Sequence, residues 1–202
     1  MLEGMDTQAD HQKRAIRAEL RERRRTMTSS ERESAESGLT ARLIELAGRH
    51  DAHTIACYLS GQNEPNTRPF LNTVIADGMK VLFPITREDG LLDWTDGESG
   101  AEVIGLFGTP EAVGNILGPI AINDVDLIIV PAAAVDSTGM RLGWGRGFFD
   151  KTLGSMERCP PVYAVVFDGE FVDTVPSEVH DQRVNGVVTP TRIIEFSAPS
   201  PF

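Results

Sequence analysis

Residues 126–151 constrain the fold of this 202-residue chain more than any other stretch. They open with Asp126, Leu127, Ile128, Ile129 and Val130, an apolar run closed by Pro131. A short apolar run without alternation fits a strand buried on both faces, as in the middle of a parallel sheet. A polar turn follows at Asp136, Ser137, Thr138 and Gly139. Then come Arg141, Leu142, Gly143, Trp144, Gly145, Arg146 and Gly147, with a helix-like start at Phe148, Phe149 and Asp150. Ligands of open α/β sheets bind just beyond the carboxyl ends of strands, and this loop follows such an end. Alternating glycines let backbone N–H groups converge on an anion. A following helix N-terminus adds its positive end, and two arginines bring bidentate donors for phosphate oxygens. The spacing of Gly143, Gly145 and Gly147 matches neither the dinucleotide fingerprint nor a P-loop. The plainer reading is a tight loop, with glycines for turn geometry and arginines for solubility. The position after the clearest strand favours a phosphate site.

The rest of the chain alternates helices with strands. Residues 11–26 predict a helix, with Ile16 and Leu20 four apart and Lys13, Arg17, Arg21 and Arg25 in a second stripe. Ser30, with Glu33 three residues on, reads as a capping box that starts a second helix. Its apolar face is Leu39, Leu43, Leu46 and Ala47, and its end falls near Gly48 or His50. Residues 54–59 predict a strand, 67–76 a helix with Pro69 in its first turn, and 80–83 a strand stopped by Pro84. Residues 86–125 hold many glycines among short apolar pieces at 91–94 and 103–107, expected as irregular structure or small strands between core elements. Further strands are expected at 162–167, 187–189 and 192–196. This order predicts a single three-layer α/β/α domain of Rossmann-like type over residues 11–202, with a mostly parallel central sheet. Residues 1–10 are expected to be a disordered lead-in.

Charge and composition narrow the function. A net charge of −11 argues against a general binder of nucleic acid or anionic membranes. No stretch approaches the roughly 18 apolar residues of a membrane span. The polar, acidic first twelve residues hold no apolar segment of secretory type. Cys57 and Cys159 are too few for a disulfide framework, and Cys57 falls where a small buried hydrophobe is expected. The histidines and cysteines show no zinc-like spacing. The expectation is a cytoplasmic monomer in a reducing compartment. Basic residues concentrate at 11–25, where Lys13, Arg14, Arg17, Arg21, Arg23, Arg24 and Arg25 stand against only Glu19 and Glu22. Such a run is usually a solvated helix face, and an RNA-binding patch is the other plain reading.

The glycine run resembles a known family. Gly139, Arg141, Leu142, Gly143, Gly145, Gly147, Phe148, Phe149 and Asp150 are similar, in order and spacing, to the Gly-x-Arg-Leu-Gly-x-Gly-x-Gly-Tyr-Tyr-Asp signature of 5-formyltetrahydrofolate cyclo-ligases, also called methenyltetrahydrofolate synthetases. Lys13 and Arg17 resemble that family's N-terminal basic helix. Tyr58, Leu59 and Ser60, followed by Glu64 and Pro65, resemble its first strand and folate-site loop. Phe107, Gly108, Thr109, Pro110 and Glu111 are similar to its Phe-Gly-Ile-Pro-Glu segment. Val175, Pro176, His180, Asp181, Val187, Val188 and Thr189 resemble its C-terminal motif. The resemblance covers nearly all of the chain after residue 10. Phe148 and Phe149 stand where the family has paired tyrosines, and Arg146 where glycine or lysine is common. Asn185 and Pro190 replace residues that are often acidic in the family.

The resemblance implies ATP- and Mg²⁺-dependent cyclisation of 5-formyltetrahydrofolate to 5,10-methenyltetrahydrofolate, with release of ADP and phosphate. It implies ATP contacts from Lys13, Arg17, Arg141, Leu142, Gly143, Trp144, Gly145, Arg146, Gly147, Phe148 and Phe149, with Arg141 and Arg146 as the catalytic residues. It gives Leu59 and Glu64 to the folate; a carboxylate suits the row of N–H donors on a pterin. Phe107 and Trp94 offer flat apolar surface to the folate or belong to the core. Asp150 and Asp181 are the implied Mg²⁺ ligands, in the usual manner of carboxylates acting with substrate phosphates. The resemblance gives Arg21 to Arg25 no role, and they are expected as surface charge. Two other classes stay open: a different ATP-dependent enzyme or folate-binding paralogue on the same scaffold, and a non-catalytic nucleotide- or RNA-binding protein using the basic helix. The acidic remainder and the lack of interleaved aromatics on that helix weigh against RNA.

Overall fold

The strand expected at 126–130 is found at Leu127–Pro131, the fourth of seven strands in the main sheet. The structure, a computed structural model, describes residues 8–156, 158–178 and 181–196. Along the chain, helices α1 (Gln8–Thr26) and α2 (Ser29–Arg49) come first. Then follow β1 (Thr54–Cys57), α3 (Arg68–Ala76), β2 (Lys80–Thr86) and β3 (Leu92–Thr95). A hairpin of β4 (Glu102–Ile104) and β5 (Pro110–Ala112) leads through a 3-10 turn at Pro119–Asp124 into β6 (Leu127–Pro131). After β6 come β7 (Ala134–Asp136), β8 (Arg141–Leu142) and α4 (Phe148–Gly154). β9 (Val162–Val165), β10 (Phe171–Val172), β11 (Gly186–Val188) and β12 (Ile193–Glu195) complete the fold.

The main sheet has the order β12-β11-β9-β6-β1-β2-β3. Its interior pairs are parallel, and only the edge strands β12 and β3 run antiparallel to their neighbours. Side chains alternate between the two faces of each strand. Ile55, Cys57, Leu127, Ile129 and Val165 pack toward α2 and α3, while Ala56, Ile128, Val130 and Ala164 pack toward α4 and the 3-10 turn. Both faces are covered, which is why the 126–130 run carries no polar alternation. Leu39, Leu43 and Leu46 of α2 are at most 1% exposed, and burying each contributes roughly 1.5–3 kcal/mol. A small sheet, β10-β7-β8, stands beyond β6. There α1 seats Leu20 in a cluster with Ala133, Ala134, Met140, Leu142 and Val175. Among the described residues no helix is long and apolar enough to cross a membrane.

Several local expectations are corrected. Helix α1 reaches back to Gln8, into the stretch expected as a lead-in; the residues before it, like His180, lie outside the described ones. The second helix is capped by Thr28 rather than Ser30. Thr28 Oγ1 accepts the Glu31 N–H at 3.2 Å, and Glu31 Oε2 accepts the Thr28 N–H at 2.7 Å. Both pairs have capping-box spacing, and the earlier one adds two residues to the helix. Strand β2 runs through Pro84 to Thr86 instead of stopping. Past Leu82 it pairs with β3 alone, so the missing Pro84 N–H breaks no bond toward β1. Trp94 is fully buried and belongs to the core. Cys57 is buried as well; burial pushes its thiol far up, and it packs as a small apolar side chain.

Candidate active site

Where β1, β2 and β6 end, a cavity of about 340 Å³ opens, at the edge of the sheet that α/β folds use for ligands. One wall is the loop after β1, with Tyr58, Leu59 and Glu64. A second is the glycine loop and the first turn of α4, with Arg141, Gly143, Trp144, Arg146, Gly147, Phe148, Phe149 and Asp150. A third comes from Thr86 and the β4–β5 hairpin, with Phe107, Thr109, Pro110 and Glu111.

The glycine loop is held from below by Asp136. Its Oδ1 accepts the Thr138 N–H and hydroxyl at 2.8 and 2.7 Å and the Met140 N–H at 3.1 Å; its Oδ2 accepts the Val175 N–H at 3.1 Å. Burial opposes the Asp136 charge, but these bonds hold its carboxyl below the ordinary range. The turn returns the chain as β8, antiparallel to β7, and delivers Arg141 to the cavity. Arg141 is 4% exposed. It donates through Nη2 to Asp150 Oδ1 at 2.7 Å and through Nη1 to the Pro131 carbonyl at 3.3 Å, while its buried Nε has no partner among the described residues. The glycines make room for guanidinium groups. A Cβ on Gly143 would stand 2.9 Å from Arg141 Nη1. Gly145 has φ +95°, and a Cβ there would stand 3.2 Å from Arg17 Nη1.

Helix α1 backs this loop. Arg17 Nε donates to the Gly143 carbonyl at 2.7 Å; burial, reinforced by Arg21, lowers its guanidinium from the ordinary value. Lys13 Nζ donates to Glu178 Oε2 and Asp181 Oδ2, both at 2.7 Å. Burial disfavours the Lys13 charge, yet the two carboxylates together outweigh it and hold the ammonium above its ordinary value. Arg24 is clamped by Glu170 through Nε to Oε1 at 2.7 Å and Nη2 to Oε2 at 2.8 Å, with both side chains 2% exposed. The guanidinium carbons of Arg24 and Arg21 lie 4.8 and 5.2 Å from the centre of the Trp144 ring. The expectation that Arg21 to Arg25 are surface charge is therefore corrected for Arg24, which is buried; Arg21 is exposed as expected, at the edge of the cavity. Arg24 follows Leu20 by four residues, so the inward stripe of α1 carried the signal.

Across the cavity, Glu64 Oε2 accepts the Gly61 N–H at 2.7 Å. Burial raises its carboxyl above the ordinary range, against the opposing pull of the Gly61 N–H and Arg24. Glu64 also borders a neighbouring groove of about 580 Å³. The hairpin reaches over to the glycine loop through Phe107, whose ring centre lies 5.3 Å from that of Phe148 and 4.2 Å from the Arg146 guanidinium carbon.

The sequence profile of the 5-formyltetrahydrofolate cyclo-ligase family matches residues 9–190. The chain is 35% identical over 187 residues to the 5-formyltetrahydrofolate cyclo-ligase of Mycolicibacterium smegmatis, with 89% of this chain and 94% of that protein covered. It is 28% identical over 182 residues to the Escherichia coli 5-formyltetrahydrofolate cyclo-ligase, covering 88% and 100%. The chain belongs to the 5-formyltetrahydrofolate cyclo-ligase family. Its fold matches the solved structure of Aquifex aeolicus 5,10-methenyltetrahydrofolate synthetase with a TM-score of 0.77 at 23% identity, over 94% of this chain and 95% of that one.

The family signature is thus spread over the cavity wall and its backing. Leu59, Glu64, Arg141, Gly143, Trp144, Arg146, Gly147, Phe148, Phe149 and Asp150 line the cavity; Lys13, Arg17, Leu142, Gly145 and Asp181 do not. Leu142 is 2% exposed, packs in the cluster around Leu20, and offers a ligand no side chain. Of Phe107 and Trp94, the one that lines the cavity is Phe107. Tyr58 and Glu111, which the resemblance places in family motifs without a role, line the cavity, and so does Thr86, for which the sequence offers no signal.

Asp150 is the implied metal ligand that stands on the cavity wall. Its Oδ1 accepts from Arg141 and from the Gln182 N–H at 3.2 Å. Asp181 Oδ2 accepts from Lys13 and from the Glu178 N–H at 2.8 Å. Among the described residues no three of His, Cys, Asp and Glu gather as a metal cage. A hard cation held by one or two carboxylates plus substrate oxygens fits this donor set.

Proposed function

We propose that this chain converts 5-formyltetrahydrofolate to 5,10-methenyltetrahydrofolate with ATP and Mg²⁺, releasing ADP and phosphate. The observation that carries the reading is one cavity with two chemically different walls: the Arg141–Arg146 glycine loop and the half-buried Glu64. A formamide is a poor electrophile. Transfer of the γ-phosphoryl group to the formyl oxygen yields an iminium phosphate, and N10 of the same folate then attacks that carbon. The attack is intramolecular and gains from proximity. That attack closes the five-membered ring; the N10 proton then goes to solvent and the C–O bond to phosphate breaks, leaving the methenyl bridge. The protein needs no covalent nucleophile; it positions the substrates and neutralises the transferring group. Arg141, Arg146 and the loop amides serve that task, with Arg17 adding positive charge behind the loop and Lys13 joining it if it leaves Glu178 and Asp181 for the ATP phosphates. Leu59 and Glu64 hold the folate. Mg²⁺ would be held by Asp150 with phosphate oxygens, joined by Asp181 if Lys13 releases it, and supplies charge neutralisation. The basic helix supports an enzyme over an RNA binder, because Lys13, Arg17 and Arg24 are committed to partners inside the protein. The reading takes the enzyme as a cytoplasmic monomer without nucleic-acid or membrane partners.

Asp150→Asn separates the metal from the arginine. If Asp150 only orients Arg141, turnover falls and the Mg²⁺ concentration for half-maximal activity stays put. The expected result is a clear rise in that concentration, read by titrating Mg²⁺ at saturating ATP; an unmoved midpoint removes Asp150 from the metal site.

Glu64→Gln tests the folate wall. The variant turns one acceptor oxygen into a donor facing pterin donors, a mismatch that weakens folate binding roughly 5- to 150-fold. ATP binding stays nearly unchanged, and isothermal titration of each ligand reads both effects. The raised Glu64 carboxyl also makes the folded state hold a proton that the unfolded chain has already lost. Stability linked to this group is therefore present at low pH and is lost as pH rises through the raised value. Glu64→Gln should melt above wild type at neutral pH, and the gap should close below the ordinary glutamate range. A gap independent of pH contradicts the buried-carboxylate account.

A further inference from the structure

We propose that Glu111 is a second substrate-contacting carboxylate, whose outer oxygen accepts a hydrogen bond from the N8–H of the reduced pterin ring. This rests on the cyclo-ligase reading and adds a residue to it. Glu111 lies on β5, is 7% exposed, and lines the same cavity as Glu64. Its Oε1 is saturated, accepting the Thr86 N–H at 2.9 Å and the Thr86 hydroxyl at 2.6 Å. Its Oε2 has no hydrogen bond among the described residues, and it is not sealed away from the cavity space. No ion pair neutralises Glu111 among the described residues, although three arginines, Arg21, Arg141 and Arg146, line the cavity. An accessible carboxylate oxygen that no protein donor occupies among the described residues keeps its acceptor capacity for a donor-bearing ligand in the cavity.

The seat for this carboxylate is built into the hairpin. A Cβ on Gly105 would stand 2.2 Å from both the Glu111 carboxyl carbon and Oε1. The side chain therefore lies across a bare stretch of backbone that only glycine provides, with Thr86 fixing one oxygen and leaving the other directed by the rigid carboxylate plane. A tetrahydropterin carries more donors than one carboxylate accepts. The ring N3–H and the amino group form one pair, which suits Glu64, and N8–H lies on the adjoining edge. Two carboxylates on different walls of one cavity match those two edges and turn the formyl-bearing side of the ring away from both.

The competing role is a staple joining the hairpin to the end of β2, and the test must move something a staple would not. Glu111→Gln keeps an acceptor for Thr86 and replaces the outer oxygen with an amino group. It should melt as wild type does, raise the KM for 5-formyltetrahydrofolate roughly 5- to 150-fold, and leave the KM for ATP unchanged. The decisive probe is 5-formyl-8-deazatetrahydrofolate, which lacks the N8–H. Wild type should bind it more weakly than the natural substrate, and Glu111→Gln should bind the two alike. Thr86→Val, which loosens the staple and leaves Oε2 alone, should keep the wild-type discrimination. An unchanged folate KM in Glu111→Gln overturns the proposal, as does undiminished discrimination against the analogue. Wild-type protein that binds no reduced folate overturns the cyclo-ligase reading itself, and this proposal with it.

Discussion

Arg24→Ala is expected to lower the stability of this protein by about 3–5 kcal/mol, the usual effect of leaving one member of a buried ion pair alone. Glu170 would keep its charge at 2% exposure with both oxygens stripped of their guanidinium donors. Only the Phe167 N–H, at 2.8 Å from Oε2, would remain of its described partners. The Ala132 carbonyl would lose its donor at 2.9 Å as well, at the exit of β6. With total stabilities of about 5–15 kcal/mol for ordinary domains, such a loss is a large fraction of the whole. Arg24→Lys should rescue little, because an ammonium cannot span both carboxylate oxygens. Replacing both partners at once, with Arg24→Met and Glu170→Leu, should recover most of the loss. Urea unfolding of the four proteins reads this directly. A loss under about 1 kcal/mol for Arg24→Ala would return Arg24 to the class of surface charges.

Arg146→Ala should act the other way round, on turnover and hardly on stability. Arg146 is exposed, and its described contact is the face of Phe107. Its removal takes little from the core. It does remove a cation from the rim of the cavity, which the proposed reaction places beside the transferring phosphoryl group. Deleting one such contact costs about 10²–10³ in rate. Turnover should fall by that factor with the melting temperature nearly constant, and Arg146→Lys should recover part of it by restoring the charge without the planar fork. A variant with wild-type turnover contradicts the assignment of Arg146 to the phosphoryl group.

The sheet was legible in the sequence because burial on both faces leaves its mark in each strand. Leu127 to Val130 could not be a half-solvated strand, and the central position follows. What was not legible depends on neighbours from other elements. Pro84 reads as a stop until the pairing shows that its strand has lost its β1 partner by then. Thr28 and Ser30 are equivalent caps on spacing alone. The glycines of the loop read as turn formers, whereas Gly143 and Gly145 also clear space for Arg141 and Arg17, the latter arriving from α1. Of the candidate site, Glu64, Arg141, Arg146 and Asp150 were found through motif and resemblance. Glu111 stands in a family motif but carries no role there, and Thr86 is ordinary in its own segment; the two meet only when the hairpin folds onto β2. Arg24 was set aside because a run of arginines hides which of them faces inward.

The most direct measurement mixes purified protein with 5-formyltetrahydrofolate, ATP and Mg²⁺ and follows methenyl product by absorbance and ADP by chromatography. The account predicts that 5,10-methenyltetrahydrofolate and ADP appear in equal amounts, that omission of either ATP or Mg²⁺ stops both, and that no covalent enzyme species accumulates. ADP formed without methenyl product, or ATP bound with no turnover of the folate, would contradict it.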